Sequence, residues 1–269
     1  MPELPEVETT RRGLDAVLTG RRLRRVVVRN AALRWPVELP ASLGGQRLGP
    51  IGRRAKYLLL PVESGSLIVH LGMSGHLSVV PADTPPGKHD HVDFELDDGR
   101  AVRLTDPRRF GSVHWQAHPV EDHWLLGDLG PEPLSRDFDA AHLAACARRR
   151  KVAVKNLLMN AKVVVGVGNI YANEALFLAG IRPRVAAGRL TRSRLGELVA
   201  AVKATLASAI QSGGTTLRDF TGADGRPGYF VHELVVYGRG GEPCVRCAAT
   251  LKEVWLAGRT TVYCPQCQI

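Results

Sequence analysis

Two Cys-x-x-Cys pairs near the C-terminal end constrain the fold of this chain more than any other feature. Cys244 and Cys247 form the first pair, Cys264 and Cys267 form the second, and 16 residues separate the pairs. This spacing is typical of a ribbon in which four thiolates bind one zinc ion and the intervening residues form a hairpin. Disulfides and a redox-active pair remain alternatives, although nothing marks the chain as secreted. We expect one structural zinc ion, no organic cofactor, and Arg259 near the hairpin tip, facing a phosphate or solvent.

The chain is strongly basic. Its 269 residues include 36 Lys and Arg against 26 Asp and Glu, a net charge of +10. Four thiolates (−4) with one Zn²⁺ (+2) lower this to about +8. Cationic clusters recur at 21–25, 53–56, 108–109 and 148–151, so a polyanion, nucleic acid above all, is the expected partner. No apolar run reaches the length of a membrane span, and we expect a cytoplasmic monomer without a membrane partner.

The first half of the chain has the pattern of an all-β domain. After a helical pattern at 7–19, short β-type runs alternate with breaks rich in Gly, Pro and Asp, at 25–28, 57–62, 66–71, 76–80, 92–96, 101–104 and 111–115. Short strands at this spacing predict an antiparallel sandwich or barrel. We place this domain at residues 1–130.

Helical spacing dominates the second half, at 139–151, 154–160 and 170–179 and in one long apolar stripe from 195 to 210. The prediction is therefore an α+β fold: an N-terminal antiparallel β-sandwich, then a helical domain ending in a Cys₄ hairpin. The helical part covers 131–216, a Gly-rich loop and linker cover 217–234, and the ribbon covers 235–269. Cys146 lies in a predicted helix and is expected to be a small buried side chain.

The first six residues, Met-Pro-Glu-Leu-Pro-Glu, have two interpretations. A small residue at position 2 favours removal of Met1, which leaves Pro2 with a secondary amine. Because an α-amino group has a pKa of about 7.7–8.0, part of it is uncharged near neutral pH and can attack a sugar carbon to give an iminium. Glu3 and Glu6 supply carboxylates within reach. The other interpretation is a stiff, solvated arm, and the motif alone leaves both open.

Stretches in the same order along the whole chain resemble the zinc-containing formamidopyrimidine-DNA glycosylases, with endonuclease VIII as a relative. They are PELPEVET at 2–9, RRAKYL at 53–58, HLGMSG at 70–75, KHDHVD at 88–93, TDPRRFG at 105–111, VGVGNIYA at 165–172, and the cysteine ribbon. The resemblance implies a base-excision repair enzyme acting on damaged double-stranded DNA. Such an enzyme excises oxidised purines, chiefly 8-oxoguanine and formamidopyrimidines, and then cuts the strand by β,δ-elimination.

The resemblance also implies roles for individual residues. Pro2 is similar to the family's Schiff-base nucleophile, and Glu3 to the general acid that acts on the sugar. Lys56 is similar to the proton donor for β-elimination, and Arg259 to the donor for δ-elimination. Both cations are phosphate contacts as well, and an arginine does not readily give up a proton.

Further residues are implied as DNA contacts or as supports of the nucleophile. Met73, Arg108 and Phe110 resemble the set that fills the gap left by an extruded base, with core packing as the alternative for Met73 and Phe110. Asn169 lies in the helix-two-turn-helix turn, where it binds a phosphate, caps the helix, or both. Arg109 is a further DNA contact, as are His70, His89 and Arg150, for which surface residues are the alternative. The nucleophile-positioning acids are Glu6 and Glu174, with a buried salt bridge as the alternative.

Two positions depart from the family pattern, and two other functions stay open. Arg218 stands where relatives often have lysine in the lesion-capping loop, and Asn156 stands where many have proline. One rival function is an endonuclease VIII-like enzyme for oxidised pyrimidines, against which the stretch 215–228 argues. The other is a DNA-binding module without catalysis, which predicts binding without covalent capture.

Overall fold

The computed structural model describes residues 2–214 and 234–269. They fall into two compact units, one of residues 2–127 with 212–214 and one of residues 128–211 with 234–269. Both units together confirm the predicted α+β class. The predicted loop at 217–229, including Arg218, lies outside the described residues.

The first unit is a β-sandwich preceded by helix α1, which spans Leu4–Leu18. In chain order its strands are β1 Leu23–Val28, β2 Gly52–Arg54, β3 Tyr57–Val62, β4 Gly65–His70, β5 His76–Pro81, β6 Asp90–Leu96, β7 Arg100–Thr105 and β8 Ser112–Ala117. They form two antiparallel four-stranded sheets, with the strand orders β1-β6-β7-β5 and β2-β3-β4-β8. Alternate residues of their strands point into one shared apolar core, as the period of two predicts. The sequence predicts every strand of this unit in the described residues except β2, because three residues are too few to show the alternation of a strand.

Helix α1 begins at Leu4, three residues before the predicted start at 7. Proline is tolerated in a first turn, where its missing N–H has no helical partner, so Pro5 does not delay the helix. Glu3 is the N-cap of a capping box in which the Glu6 carboxylate accepts from the Glu3 N–H at 2.8 Å. Both glutamates are only 1% exposed. The solvated-arm interpretation of these residues is therefore wrong.

The described residues of the second unit form four α-helices and the C-terminal hairpin. They are α2 Ala140–Ala147, α3 Val154–Leu158, α4 Asn169–Leu178, α5 Arg192–Gln211, β9 Lys252–Leu256 and β10 Arg259–Tyr263. Helix α5 buries the predicted stripe, including Leu195, Leu198 and Leu206. Helix α2 ends four residues before the predicted end at 151, because the chain leaves helical geometry at Arg148 and Arg149 has a φ of +59°. Among the helices of residues 2–214 and 234–269, none has both the length and the apolar composition that a membrane span requires.

Candidate active site and metal centre

The four ribbon cysteines converge at the base of the β9–β10 hairpin. Their sulfur atoms all lie within 4.8 Å of one another. The Sγ atoms of Cys244 and Cys267 are 3.9 Å apart, and those of Cys247 and Cys264 are 3.4 Å apart. Sulfurs placed tetrahedrally at about 2.3 Å from zinc are roughly 3.8 Å apart, whereas a disulfide requires about 2.05 Å. The donor set therefore fits one structural zinc ion, and the disulfide alternative is wrong.

Buried hydrogen bonds hold the hairpin strand that carries Arg259. The ammonium of Lys155, which is 1% exposed, donates to the Thr261 hydroxyl at 2.7 Å and to the Thr260 carbonyl at 3.2 Å. The Thr261 hydroxyl donates in turn to the Arg259 carbonyl at 3.3 Å. Arg259 itself is exposed as the first residue of β10. Lys155 was not singled out from the sequence, although a lysine among the apolar residues of a short helix is the signal that marks it.

Asn169 is the first residue of α4, and Gly168 occupies the N-cap position. Capping by Asn169 is therefore wrong. Its amide nitrogen donates to the Thr260 carbonyl at 3.0 Å, so this residue too is tied to the hairpin. Its amide oxygen is buried without a hydrogen-bond partner among the described residues.

The Glu174 carboxylate binds backbone rather than a cation in the described residues. It accepts from the N–H groups of Val235, Val236 and Tyr237 at 3.0, 3.1 and 2.8 Å. Burial raises the pKa of Glu174, and these three donors offset part of that rise. Glu174 thus fixes the chain at the start of the ribbon. It forms no salt bridge with any cation of the described residues, so the salt-bridge alternative is not supported there.

The N-terminal candidates lie together at the start of α1. Pro2 is buried and directly precedes the buried Glu3. Gly214, with a φ of +82°, approaches so closely that a Cβ there would lie 3.1 Å from Glu6 Oε1. Only glycine suits both that backbone conformation and that distance. The Glu6 carboxylate is therefore confined between the helix start and Gly214.

An ion-pair network fixes the turn that carries Lys56. Glu8 on α1 accepts from Arg53 Nε at 3.0 Å, and Arg53 also donates to the Ala55 carbonyl at 2.8 Å. Ala55 has a φ of +54°, and the half-buried Lys56 follows it. Burial alone would raise the pKa of Glu8, but hydrogen bonds from Arg11 and Arg53 outweigh it and lower the pKa. Helix α1 thus positions Lys56 through Glu8 and Arg53, two side chains to which the sequence assigned no role of their own.

His70, at the end of β4, is held as a neutral imidazole. Its Nδ1 accepts from the Gly72 N–H at 3.1 Å, which places its proton on Nε2 and leaves that nitrogen as a donor. Its ring lies 4.9 Å from that of Tyr57. Burial first, and the charge of Lys56 second, lower the pKa of His70 to about 4.

We expect this lowered pKa to make folding sensitive to acid. An unfolded histidine takes up its proton near pH 6.5, but folded His70 does so only near pH 4. Its contribution to stability is therefore present above pH 6.5 and lost as the pH falls to 4, by about 3 kcal/mol. Urea unfolding across this range should show a steeper loss in the wild type than in His70→Gln. Parallel pH profiles for the two proteins would contradict the assignment.

Met73 and Phe110 are surface residues, 36% and 40% exposed. The guanidinium carbon of Arg108 lies 4.9 Å from the centre of the Phe110 ring, a cation–π contact. Arg109 is exposed and has a left-handed φ of +54°, so the chain turns between Arg108 and Phe110. Core packing, the alternative for Met73 and Phe110, is wrong.

One buried carboxylate joins the loops that carry these side chains. Asp106, fully buried, accepts from the Ser74 hydroxyl at 2.7 Å and from the Gly111 N–H at 2.7 Å. Gly72 lies against the backbone of Phe110, where a Cβ would overlap its carbonyl carbon. The Met73 loop and the Phe110 loop are therefore fixed to each other. Asp106 lies within the TDPRRFG motif but was not singled out from the sequence.

Replacing Asp106 by asparagine should destabilise the first unit by about 2 kcal/mol, because one carboxylate oxygen becomes an NH₂ group facing donors. Urea denaturation of the full chain measures this loss. Asp137→Asn, the same change at an exposed position, serves as the control and should leave the midpoint unchanged. Equal midpoints for the two variants would show that Asp106 does not fix the loops.

The remaining predicted contacts lie in separate places. His89 is half-buried in the turn before β6, and its carbonyl accepts from the Asp106 N–H at 2.9 Å. Arg150 is exposed after α2 and lines a basic pocket of the second unit together with Arg149, Arg184 and Arg189. The structure thus brings the predicted residues into several groups, each fixed by its own hydrogen bonds.

Three family models match the chain. One described as the formamidopyrimidine-DNA glycosylase N-terminal domain matches residues 1–113, and one described as the formamidopyrimidine-DNA glycosylase H2TH domain matches residues 129–221. A third, described as a zinc finger found in FPG and IleRS, matches residues 241–269. These matches cover both described units.

Full-length relatives and solved structures agree with these matches. A formamidopyrimidine-DNA glycosylase from Stutzerimonas stutzeri (strain A1501) is 57% identical over 270 residues, covering 100% of each chain. Lactococcus lactis Fpg in complex with DNA containing an abasic site has a TM-score of 0.92 and 34% identity, covering 99% of each chain. A mutant of Lactococcus lactis FPG in complex with DNA containing Fapy-dG has a TM-score of 0.91 and 33% identity, again covering 99% of each chain.

Proposed function

The chain belongs to the formamidopyrimidine-DNA glycosylase family, and on that premise we propose a bifunctional base-excision repair enzyme. It excises oxidised purines, 8-oxoguanine and formamidopyrimidines, from duplex DNA and cleaves the strand at the resulting abasic sugar by β,δ-elimination. The Lactococcus relative solved with Fapy-dG and with abasic DNA supports both halves of this reaction. The observation that carries the proposal is Glu3, a buried carboxylate fixed at a helix start directly after Pro2.

In the proposed reaction, Pro2 acts after Met1 has been removed. Its nitrogen bonds to C1′ while the glycosidic bond breaks, and the departing base takes up a proton. Loss of the nitrogen's own proton gives an aminal, and the C1′–O4′ bond then breaks while O4′ takes up a proton, which opens the sugar ring and leaves an iminium. The iminium accepts electrons when a C2′ proton leaves and the 3′ phosphate is expelled. A second elimination expels the 5′ phosphate, and water then releases the sugar fragment. Glu3 transfers protons at the sugar, and Glu6 positions the helix start.

Cations on both units bind the phosphates. We assign Lys56 and Arg259 to phosphates next to the damaged nucleotide and, following the family, to the β- and δ-elimination steps. Two hydrogen bonds hold the backbone next to these residues. Arg53 donates to the carbonyl of Ala55, beside Lys56, and Lys155 donates to the hydroxyl of Thr261, on the strand that carries Arg259. The further phosphate contacts proposed are His70, His89, Arg109, Arg150 and Asn169.

Met73, Arg108 and Phe110 occupy the gap that an extruded base leaves in the stack. The exposed apolar side chains of Met73 and Phe110 replace the lost stacking, and the Arg108 guanidinium pairs with the orphaned base. Their exposure supports this role, because a folded chain gains nothing from leaving two large apolar side chains in water.

Borohydride trapping tests the proposal with protein whose N-terminal mass confirms a free Pro2. Duplexes carrying 8-oxoguanine, thymine glycol or no lesion are incubated with the protein and borohydride. We expect a covalent complex with the 8-oxoguanine duplex, weaker capture with thymine glycol, and none with intact DNA. Stronger capture of thymine glycol favours an endonuclease VIII-like enzyme. Binding without any capture contradicts the enzyme and leaves a DNA-binding module.

A further inference from the structure

A pocket in the first unit lies beside the Arg108 loop, and its Arg34–Trp35 side has no part in the proposed reaction. Its walls include Arg34, Trp35, Arg108, Arg109 and Phe110, and its volume is about 760 Å³. This size lies within the roughly 300–1,000 Å³ of pockets that hold small ligands. We call it the Arg34–Trp35 pocket.

The Trp35 wall of the pocket is rigidly built. Its ring centre lies 5.6 Å from that of His114 and 5.3 Å from that of Trp124, which meets it edge to face. The N–H of Arg34 donates to the Gly111 carbonyl at 3.1 Å, which joins this wall to the loop that follows Phe110. The Trp35 wall is thus held in place by ring contacts and by a backbone hydrogen bond.

The pocket collects arginines that are free of carboxylates. Arg34, Arg108 and Arg109 are exposed and form no ion pair among the described residues, and no acid lines the pocket there. Other arginines of the same unit do pair with Asp or Glu, namely Arg11, Arg12, Arg21, Arg25, Arg29, Arg53, Arg100 and Arg103. Three arginines that form no ion pair among the described residues thus line one pocket, and their combined charge indicates an anionic ligand.

The pocket combines these charges with flat aromatic surfaces. The Arg34 guanidinium lies 4.7 Å from the Trp35 ring centre, and that of Arg108 lies 4.9 Å from the Phe110 ring centre. Aromatic rings and guanidinium planes stack on nucleobases, while the guanidinium N–H groups bind phosphate. The ligand class that uses both properties is a nucleotide.

The position of Arg108 and Phe110 selects the strand. Under the proposed function these two residues face the orphaned base, so the strand that reaches their other side is the undamaged one. We propose that the Arg34–Trp35 pocket binds a nucleotide of the undamaged strand next to the orphaned base. Its phosphate lies on Arg34 and Arg109, and its base lies against the Trp35 surface. This inference rests on the proposed function.

A cycle of paired protein and DNA changes tests the inference on the full chain. The DNA is a duplex with a non-cleavable abasic analogue. Its undamaged strand carries, at one flanking position at a time, a methylphosphonate that removes a charge or an abasic residue that removes a base. Arg34→Ala should weaken binding to the unmodified duplex about tenfold, and this loss should vanish at one methylphosphonate position. Trp35→Leu should also weaken binding to the unmodified duplex, and this loss should vanish when one particular base of the undamaged strand is missing.

Arg24→Ala is the matched control, because Arg24 is an exposed arginine of the same unit outside this pocket. It should show no coupling to any single position. Equal losses on all duplexes, or an equal effect of Arg24→Ala, would overturn the inference. If Trp35→Leu does not fold, the surface variant Arg34→Ala decides alone. Absence of borohydride capture in the wild type rejects the proposed function, whereas capture without coupling rejects only this pocket.

Discussion

Glu3→Gln should lose base excision by about 10²- to 10⁴-fold while the protein keeps its fold. Glutamine retains an oxygen that accepts from the helix N–H, so the N-cap at the start of α1 survives. Its amide does not act as an acid, so it cannot transfer a proton to the sugar. It also lacks the negative charge that stabilises a developing cation there. Single-turnover release of 8-oxoguanine from a duplex measures the effect. Because Glu3 is 1% exposed, water does not easily replace its carboxylate.

A second substrate separates proton transfer by Glu3 from a role in holding Pro2. On a duplex with a preformed abasic site, no base has to leave, so Glu3→Gln should still give a borohydride-trapped complex. Glu121→Gln, the same change at an exposed position, is the control and should match the wild type on both substrates. Wild-type excision by Glu3→Gln would reject the general acid. Loss of capture on both substrates would make Glu3 a positioning residue for Pro2.

The sequence predicts those parts of the fold that local pattern determines. Alternation identifies strands such as 57–62, and the apolar stripe of α5 identifies the long helix, because each records burial on one face. Elements whose limits depend on single interactions are less predictable. The start of α1 depends on the capping box of Glu3 and Glu6, and the end of α2 on the left-handed Arg149.

Sequence motifs indicate the candidate site residues better than the residues that hold them. Pro2, Lys56 and Arg259 belong to recognisable stretches, but their supports act across the chain. Arg53 reaches Glu8, 45 residues away, and Lys155 reaches Thr261, 106 residues away. Such pairs leave no periodic signal, because a single buried hydrogen bond needs only two positions in the chain. They become visible only when the fold brings the partners within about 3 Å.

Removal of zinc should abolish most DNA binding, because the β9–β10 hairpin is too small to hold its shape without the ion. Structural zinc contributes roughly 10–16 kcal/mol to folding in comparable peptides, far more than two short strands supply. Cys264→Ala removes a fully buried ligand and should release the zinc. Arg259 then loses its fixed position. Losing one arginine–phosphate contact costs roughly 1.5–3 kcal/mol, so affinity for lesion duplex should fall about 100-fold.

Cys146→Ala provides the matched control, because Cys146 lies in α2, outside the four-sulfur cluster, and is half-buried rather than buried as predicted. It should keep one zinc per chain and wild-type affinity, as measured by metal analysis and by titration of a lesion duplex. Chelation of the wild type should reproduce the Cys264→Ala result. Added zinc should then restore the DNA affinity of the chelated wild type but not that of Cys264→Ala. A zinc-free protein that still binds the duplex at wild-type affinity would show that the hairpin and Arg259 are not part of the DNA-binding surface. An equal loss in both cysteine variants would point instead to a general effect on folding of the second unit.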